Sequence, residues 1–144
     1  MQTGMIIGHW PKTIKHTQHY FMERYCFVDC RGEIHVDDTT VFGYGVNLIT
    51  MSHDISKGTC DSALSRRLRV DGHGWIASFA TLIACWVQEH GFVAGGSVVS
   101  GVIVPSYTLV EGNPAQIVAV YSRDLGKWQR LATPLKCETW QGRK

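Results

Sequence analysis

The chain of 144 residues has no run of eighteen apolar residues, so no segment reads as a membrane-spanning helix. It has little charge: 18% of residues, against a usual share of about 25%. Neither sign dominates, since 14 Lys and Arg nearly cancel 12 Asp and Glu. That balance excludes bulk electrostatic attachment to nucleic acid or to an acidic membrane surface. Met1 to Trp10 lack a basic run followed by a long apolar one, so no secretory leader is expected. Cysteine is scarce and unpatterned. Cys26, Cys30, Cys60, Cys85 and Cys137 are odd in number, and no second pair follows Cys26 and Cys30 at zinc-finger spacing. They are expected to be small buried hydrophobes in a reducing cytoplasm. Glycine, by contrast, is plentiful at 15 residues, and with the low charge it points to strands and turns. The length suits one domain with a real core.

What the sequence does have is a period of six. Apolar residues stand at Val36, Phe42 and Leu48, then at Val70, Ile76 and Leu82, then at Val87, Val93 and Val99. The fifth place of each block is usually small or β-branched: Thr40, Val46, Gly74, Ala80, Gly91 and Ser97. Counting by blocks also puts Trp86 and Ile103 there. Weaker blocks begin near Arg24 and Cys30. Such spacing follows neither one face of a helix nor a plain alternating strand. A solenoid of hexads satisfies it, with one short strand and one corner per block and three blocks per triangular coil of about 18 residues. First-place aliphatics then point inward, and backbone groups pair from coil to coil in parallel.

Two irregularities stand out. Residues 54–69 break the period and read as a loop pushed out of one corner. Leu82 to Val87 is five residues rather than six. The ends differ from the middle. Residues 1–23 carry no hexads and are expected to cap the first coil, with the coils over 24–120. Leu125, Trp128, Leu131 and Ala132 sit at near-helical spacing, which predicts a short amphipathic helix across 122–132, ended by Pro134 and followed by a frayed tail.

Three landmarks carry a family resemblance: Leu48 to Asp54, with His53 at the loop entrance; Asp71-Gly72-His73-Gly74-Trp75-Ile76, where the period resumes; and Gly95-Gly96-Ser97-Val98-Val99, followed by Val110-Glu111-Gly112-Asn113-Pro114-Ala115. In this order they resemble the hexapeptide-repeat acyltransferases over about two-thirds of the chain. Within that superfamily they are most similar to the colanic-acid-type sugar O-acetyltransferases and the maltose/galactoside acetyltransferases. The resemblance implies an all-β, left-handed parallel β-helix of about four coils. The left hand comes from the resemblance alone, because parallel crossovers are otherwise right-handed. It also implies acetyl-CoA as acyl donor, a sugar or related small molecule as acceptor, a homotrimer with sites between neighbours, and no metal.

Residue by residue, the resemblance makes His53 the general base. A neutral imidazole suits removal of a hydroxyl proton at neutral pH. Asp29 matches an acidic position near the acceptor, where a carboxylate would bond sugar hydroxyls or orient the base; the plainer reading is a corner aspartate bonding its own backbone. Trp75 and Ser78 match positions beside the pantetheine arm and thioester, with the Ser78 N–H a candidate donor to the oxyanion; Trp75 packing between subunits is the other reading. Gly95, Gly96 and Ser97 match a place where cofactor runs close to backbone, although they also fit the repeat. The chain departs from the family at Ser100-Gly101-Val102 and at Gln116, where basic residues commonly meet the phosphates of coenzyme A. Arg123, Lys127 and Arg130 are the nearby cations that could substitute. Arg66, Arg67 and Arg69 fall on the expected loop and read first as a solvated face. Two other functions stay open: a non-catalytic β-helix for assembly or ligand binding, and a γ-type carbonic anhydrase using histidines such as His35, His53, His73 and His90.

Overall fold

The computed structural model describes residues 21–29 and 31–142, with the backbone of Ile6–Ile7 and Ile14–His16. All the regular elements among them are strands. β1 (Ile6–Ile7), β2 (Ile14–His16) and β3 (Phe21–Met22) make one circuit, and β4 (Phe27–Asp29), β5 (Ile34–Val36) and β6 (Val41–Phe42) the next. β7 (Asn47–Ile49) opens the third, which β8 (Met51–His53) and β9 (Ala63–Ser65) interrupt before β10 (Leu68–Val70) and β11 (Trp75–Ile76) complete it. β12 (Thr81–Ile83), β13 (Trp86–Val87) and β14 (Phe92–Val93) form the fourth, and β15 (Val98–Ser100), β16 (Val102–Val104) and β17 (Thr108–Gly112) the fifth. Stacking gives three parallel faces: A (β1-β4-β7-β12-β15), B (β2-β5-β10-β13-β16) and C (β3-β6-β11-β14-β17). The expected cap over 1–23 lies mostly outside the described residues. The strands within it, β1 to β3, pair in parallel with β4 to β6.

The hexads explain the core. All nine first-place residues are buried, none more than 6% exposed. They stack in columns, such as Val28–Leu48–Leu82–Val99 on face A and Phe42–Ile76–Val93–Val110 on face C. Each large aliphatic so buried contributes about 1.5–3 kcal/mol. The fifth places are inward too: Thr40, Val46 and Ala80 are at 0% exposure and Ser97 at 1%. Two fifth places differ from the block count. The step from face A to face B is five residues in the last two coils, so Cys85 is the residue turned into the core and Val102 packs against it. Trp86 and Ile103, expected inside, pair with each other on the outer side of face B. Ala84 (φ 43°) and Gly101 (φ 63°) make this tighter corner. Coils therefore repeat every 17 residues from Val70 to Val87 to Val104.

The break at 54–69 is narrower than the sequence suggests. β8 and β9 form an antiparallel hairpin, with His53 opposite Ala63, and the connecting loop runs over residues 54–62. Leu68 and Arg69 already belong to β10 on face B, where Leu68 is fully buried.

The C-terminal helix is not formed. Residues 115–136 make a second hairpin, β18 (Ala115–Ser122) and β19 (Lys127–Lys136), turned at Gly126 (φ 62°). β18 pairs antiparallel with β17, and β19 with β18. The last face-C strand would otherwise leave a row of unpaired backbone groups, and that demand outweighs the weak helical spacing of four residues. Pro134, expected to end the helix, lies in β19, the edge strand, where a missing N–H is tolerated. The tail is not frayed either: β20 (Glu138–Thr139) pairs with β16, and Trp140 lies 6.4 Å from Trp86.

Candidate active site

Two corners of the prism hold the candidate residues. The first joins face A to face B. There Thr50 Oγ1 donates to the Asp29 carbonyl (2.7 Å) and accepts from the Gly32 N–H (2.8 Å), tying the root of the β8–β9 hairpin to the coil before it. Asp29 is 3% exposed. Both of its carboxylate oxygens are taken by Arg31, through Nε at 2.8 Å and a terminal nitrogen at 2.9 Å. That guanidinium, chiefly by hydrogen bonding, holds the Asp29 carboxyl below the usual carboxylate range. Arg31 was not singled out from the sequence; its place two residues after Asp29 was the available signal. His53 projects from β8 on the same corner, exposed, with no hydrogen bond to its imidazole among the described residues. The corner therefore brings Asp29 and His53 to one region, with Asp29 at the hairpin's base and His53 toward its tip.

The second corner joins face C to face A. Trp75 stands on the outer side of β11, 50% exposed, its ring edge-on to Phe92 at 6.3 Å. Ser78 follows at the turn. Its Oγ accepts from the Tyr44 N–H (3.1 Å) and its carbonyl from the Gly96 N–H (3.0 Å). Its own N–H makes no hydrogen bond among the described residues. Gly43 lies directly against it: a Cβ built there would stand 2.6 Å from the Ser78 nitrogen. Gly95 and Gly96 are exposed one coil further on, and Gly96 (φ 69°) needs the left-handed backbone that glycine adopts freely. Ser97 faces the other way. It is 1% exposed, and its Oγ accepts from the Gly112 N–H (3.1 Å), so its side chain braces the corner from inside.

Trp75, Ser78, Gly95 and Gly96 thus form one exposed wall with a spare N–H donor. His53 is not on it. The width of face A separates the two corners, on the order of 15 Å for an extended segment such as Ser78 to Ala84. Within one copy, therefore, His53 and the Ser78 N–H stand apart. Of the other histidines, His73 and His90 stack ring on ring (4.9 Å, 15°) at the corner between faces B and C. No group of three or more metal-ligating side chains converges among the described residues.

No family model matches the chain, and no curated protein matches it significantly. Solved structures do. A hexapeptide-repeat acetyltransferase from Vibrio cholerae, complexed with acetyl coenzyme A, superposes with a TM-score of 0.71 at 23% identity, covering 77% of this chain and 62% of that one. The chain thus spans about three-fifths of that protein's length. A maltose O-acetyltransferase from Clostridium difficile 630 gives 0.70 at 17% identity over 81% of this chain and 66% of that one. A variant of an N-acyltransferase from Bacillus cereus, in complex with dTDP and coenzyme A, gives 0.64 at 10% identity over 85% and 79%. The fold is therefore the left-handed parallel β-helix of the hexapeptide-repeat acetyltransferases.

Proposed function

We propose that the chain is an acyltransferase that moves the acetyl group of acetyl-CoA to a hydroxyl of a sugar or related small acceptor, working as a homotrimer. The observation that carries this reading is the unpartnered Ser78 N–H, kept open between Gly43 and the bare backbone of Gly95 and Gly96, beside an exposed Trp75. A wall of that kind accepts a thin thioester arm and offers a donor where negative charge develops. The acetyl-CoA bound by the Vibrio cholerae protein of the same fold supports the donor, and the maltose O-acetyltransferase supports a sugar acceptor.

In this mechanism His53 of one protomer takes the acceptor's hydroxyl proton as the oxygen attacks the thioester carbon. The Ser78 N–H of the neighbour stabilises the oxyanion of the tetrahedral species. A C–O bond forms, the C–S bond breaks, and the imidazolium returns its proton to the leaving thiolate. Asp29 serves by fixing the root of the His53 hairpin through its carbonyl and by holding the Arg31 guanidinium at the same corner. Gly95 and Gly96 let the donor approach the backbone, with Ser97 bracing them from within. Association is favoured by the apolar surface left on a lone protomer: Phe21, Val41 and Trp75 on face C and Phe79 at its corner are 40–69% exposed. The described cysteines, Cys26, Cys60, Cys85 and Cys137, are free thiols, as a reducing cytoplasm would keep them.

Calorimetric titration with coenzyme A, followed by a thiol-release assay over a panel of sugars, tests the reading. His53→Ala is expected to keep coenzyme A affinity and to lose transfer by about 10²–10⁴-fold. Unchanged transfer removes His53 from the role of base. No binding of coenzyme A at millimolar concentration leaves a non-catalytic module as the better description.

A further inference from the structure

An aromatic cleft lies at the far end of face C, beyond the site just described. The β18–β19 hairpin curls back over the outer side of that face. Trp128 on β19 is three strands from Phe92 on β14, a separation of about 14 Å in a flat sheet. The two ring centroids are nevertheless 5.2 Å apart. Tyr121 closes the back, 5.5 Å from Trp128 and 6.3 Å from Tyr107, and Tyr107 stacks on His90 at 4.5 Å. These five rings line a half-open cleft of about 280 Å³, room for one ring system at the small end of ligand pockets.

The lining has a definite chemistry. It offers aromatic faces and four polar groups, the Trp128 indole N–H, the Tyr107 and Tyr121 hydroxyls and the His90 imidazole, none hydrogen-bonded among the described residues. No carboxylate or carboxamide lines it among the described residues. A sugar ring, rich in hydroxyl donors, would find none of those strong paired acceptors there. A heteroaromatic base brings acceptor nitrogens and a flat face to stack. One cation stands at the rim: Arg123 is held 5.4 Å above the Tyr107 ring. It is in no ion pair among the described residues, not even with Asp124 on the same turn, whereas Arg130 is held by Glu111 at 2.9 Å. The cleft also continues the candidate donor wall: Trp75 touches Phe92, and Phe92 touches Trp128, on successive levels of the prism.

We infer that this cleft receives the nucleotide end of the acyl donor, with the adenine among Trp128, Tyr121 and Phe92 and the phosphates at Arg123. The inference rests on acetyl-CoA being the donor. The test is calorimetry on the full chain with three probes: coenzyme A, adenosine 3′,5′-bisphosphate and pantetheine. Trp128→Ala and Arg123→Ala are each expected to weaken coenzyme A and the bisphosphate roughly tenfold and to leave pantetheine unchanged. Trp128→Phe, which keeps a stacking ring, is expected to restore most of the loss. Arg123 lies on an exposed turn, so its variant reports even if Trp128→Ala disturbs the hairpin. Coenzyme A binding unaltered in both alanine variants overturns the cleft assignment while the donor reading survives. An equal loss of pantetheine affinity overturns it too. If wild-type protein binds none of the three probes, the donor reading itself fails.

Discussion

Replacing Gly43 by alanine probes the geometry on which the chemistry depends. Gly43 has ordinary backbone angles, so alanine is not strained by its φ. The difficulty is contact. The new Cβ would stand 2.6 Å from the Ser78 nitrogen, 2.6 Å from its Oγ and 3.0 Å from its Cα. Ordinary contact begins near 3.4 Å, so one backbone segment must move by about 0.8 Å. Gly43 is pinned by its N–H to the Ile76 carbonyl (2.8 Å) and by the Cys26 thiol on its own carbonyl (3.2 Å). Ser78, half-buried at its turn and with its own N–H unbonded among the described residues, is the segment expected to yield. Overpacking of this size costs about 1–3 kcal/mol, a fall in melting temperature of roughly 3–12 °C for a chain of this length. A donor displaced by nearly 1 Å loses most of its hold on the oxyanion, on the order of 10²-fold in kcat. The KM for the donor is expected to change less than about threefold. Gly101→Ala is the control. Its Cβ would meet nothing within 4 Å, but its φ of 63° imposes strain of about 1–2 kcal/mol, so stability falls while the rate holds. Steady-state kinetics and thermal melts on both variants decide the matter. Gly43→Ala with wild-type kcat would refute the role given to the Ser78 N–H.

Two further expectations concern ionisation. Because Arg31 holds the Asp29 carboxyl below its unfolded value of about 3.9, the pair adds stability above that pH and loses it as pH falls through the folded value. Urea midpoints between pH 2 and 6 should therefore drop more steeply for wild type than for Asp29→Asn; parallel curves would show that the pair carries no linkage. Burial pushes the Cys85 thiol up to about 12, whereas Cys60 is exposed. Alkylation at pH 8 with peptide mapping should label Cys60 in the native protein and Cys85 only after unfolding, and equal rates would contradict the packing.

The aliphatic hexads were legible because a triangular cross-section forces one inward side chain per wall, and local spacing suffices to see it. The five-residue corner was not. Trp86 and Ile103 are as apolar as Cys85 and Val102, so hydrophobicity alone cannot say which of each pair points inward; Ala84 and Gly101 decide it through backbone angles. The misread C-terminus has a tertiary cause. Leu125, Trp128, Leu131 and Ala132 carry a helical spacing, but the bare edge of β17 takes β18 as its partner and β18 in turn takes β19, a demand that side-chain spacing within 122–132 does not show. At the candidate site, His53, Trp75 and Ser78 stood out by motif. Gly43 did not, because its importance arises only when the next coil lays Ser78 against it, and neither did the aromatic cleft, which needs the hairpin to fold over face C.

The terminal hairpin and tail also decide how far such a stack can grow. β18 and β19 extend face C and β20 extends face B, all antiparallel, while β15 on face A, three residues long, takes no strand beyond it among the described residues. A prism can extend into a fibre only if all three walls offer matching hydrogen-bonding edges to the next molecule. With two walls ending in antiparallel strands displaced from the coil, the three edges no longer match a parallel first coil, and contacts between copies are directed to the flanks, where assemblies close on themselves.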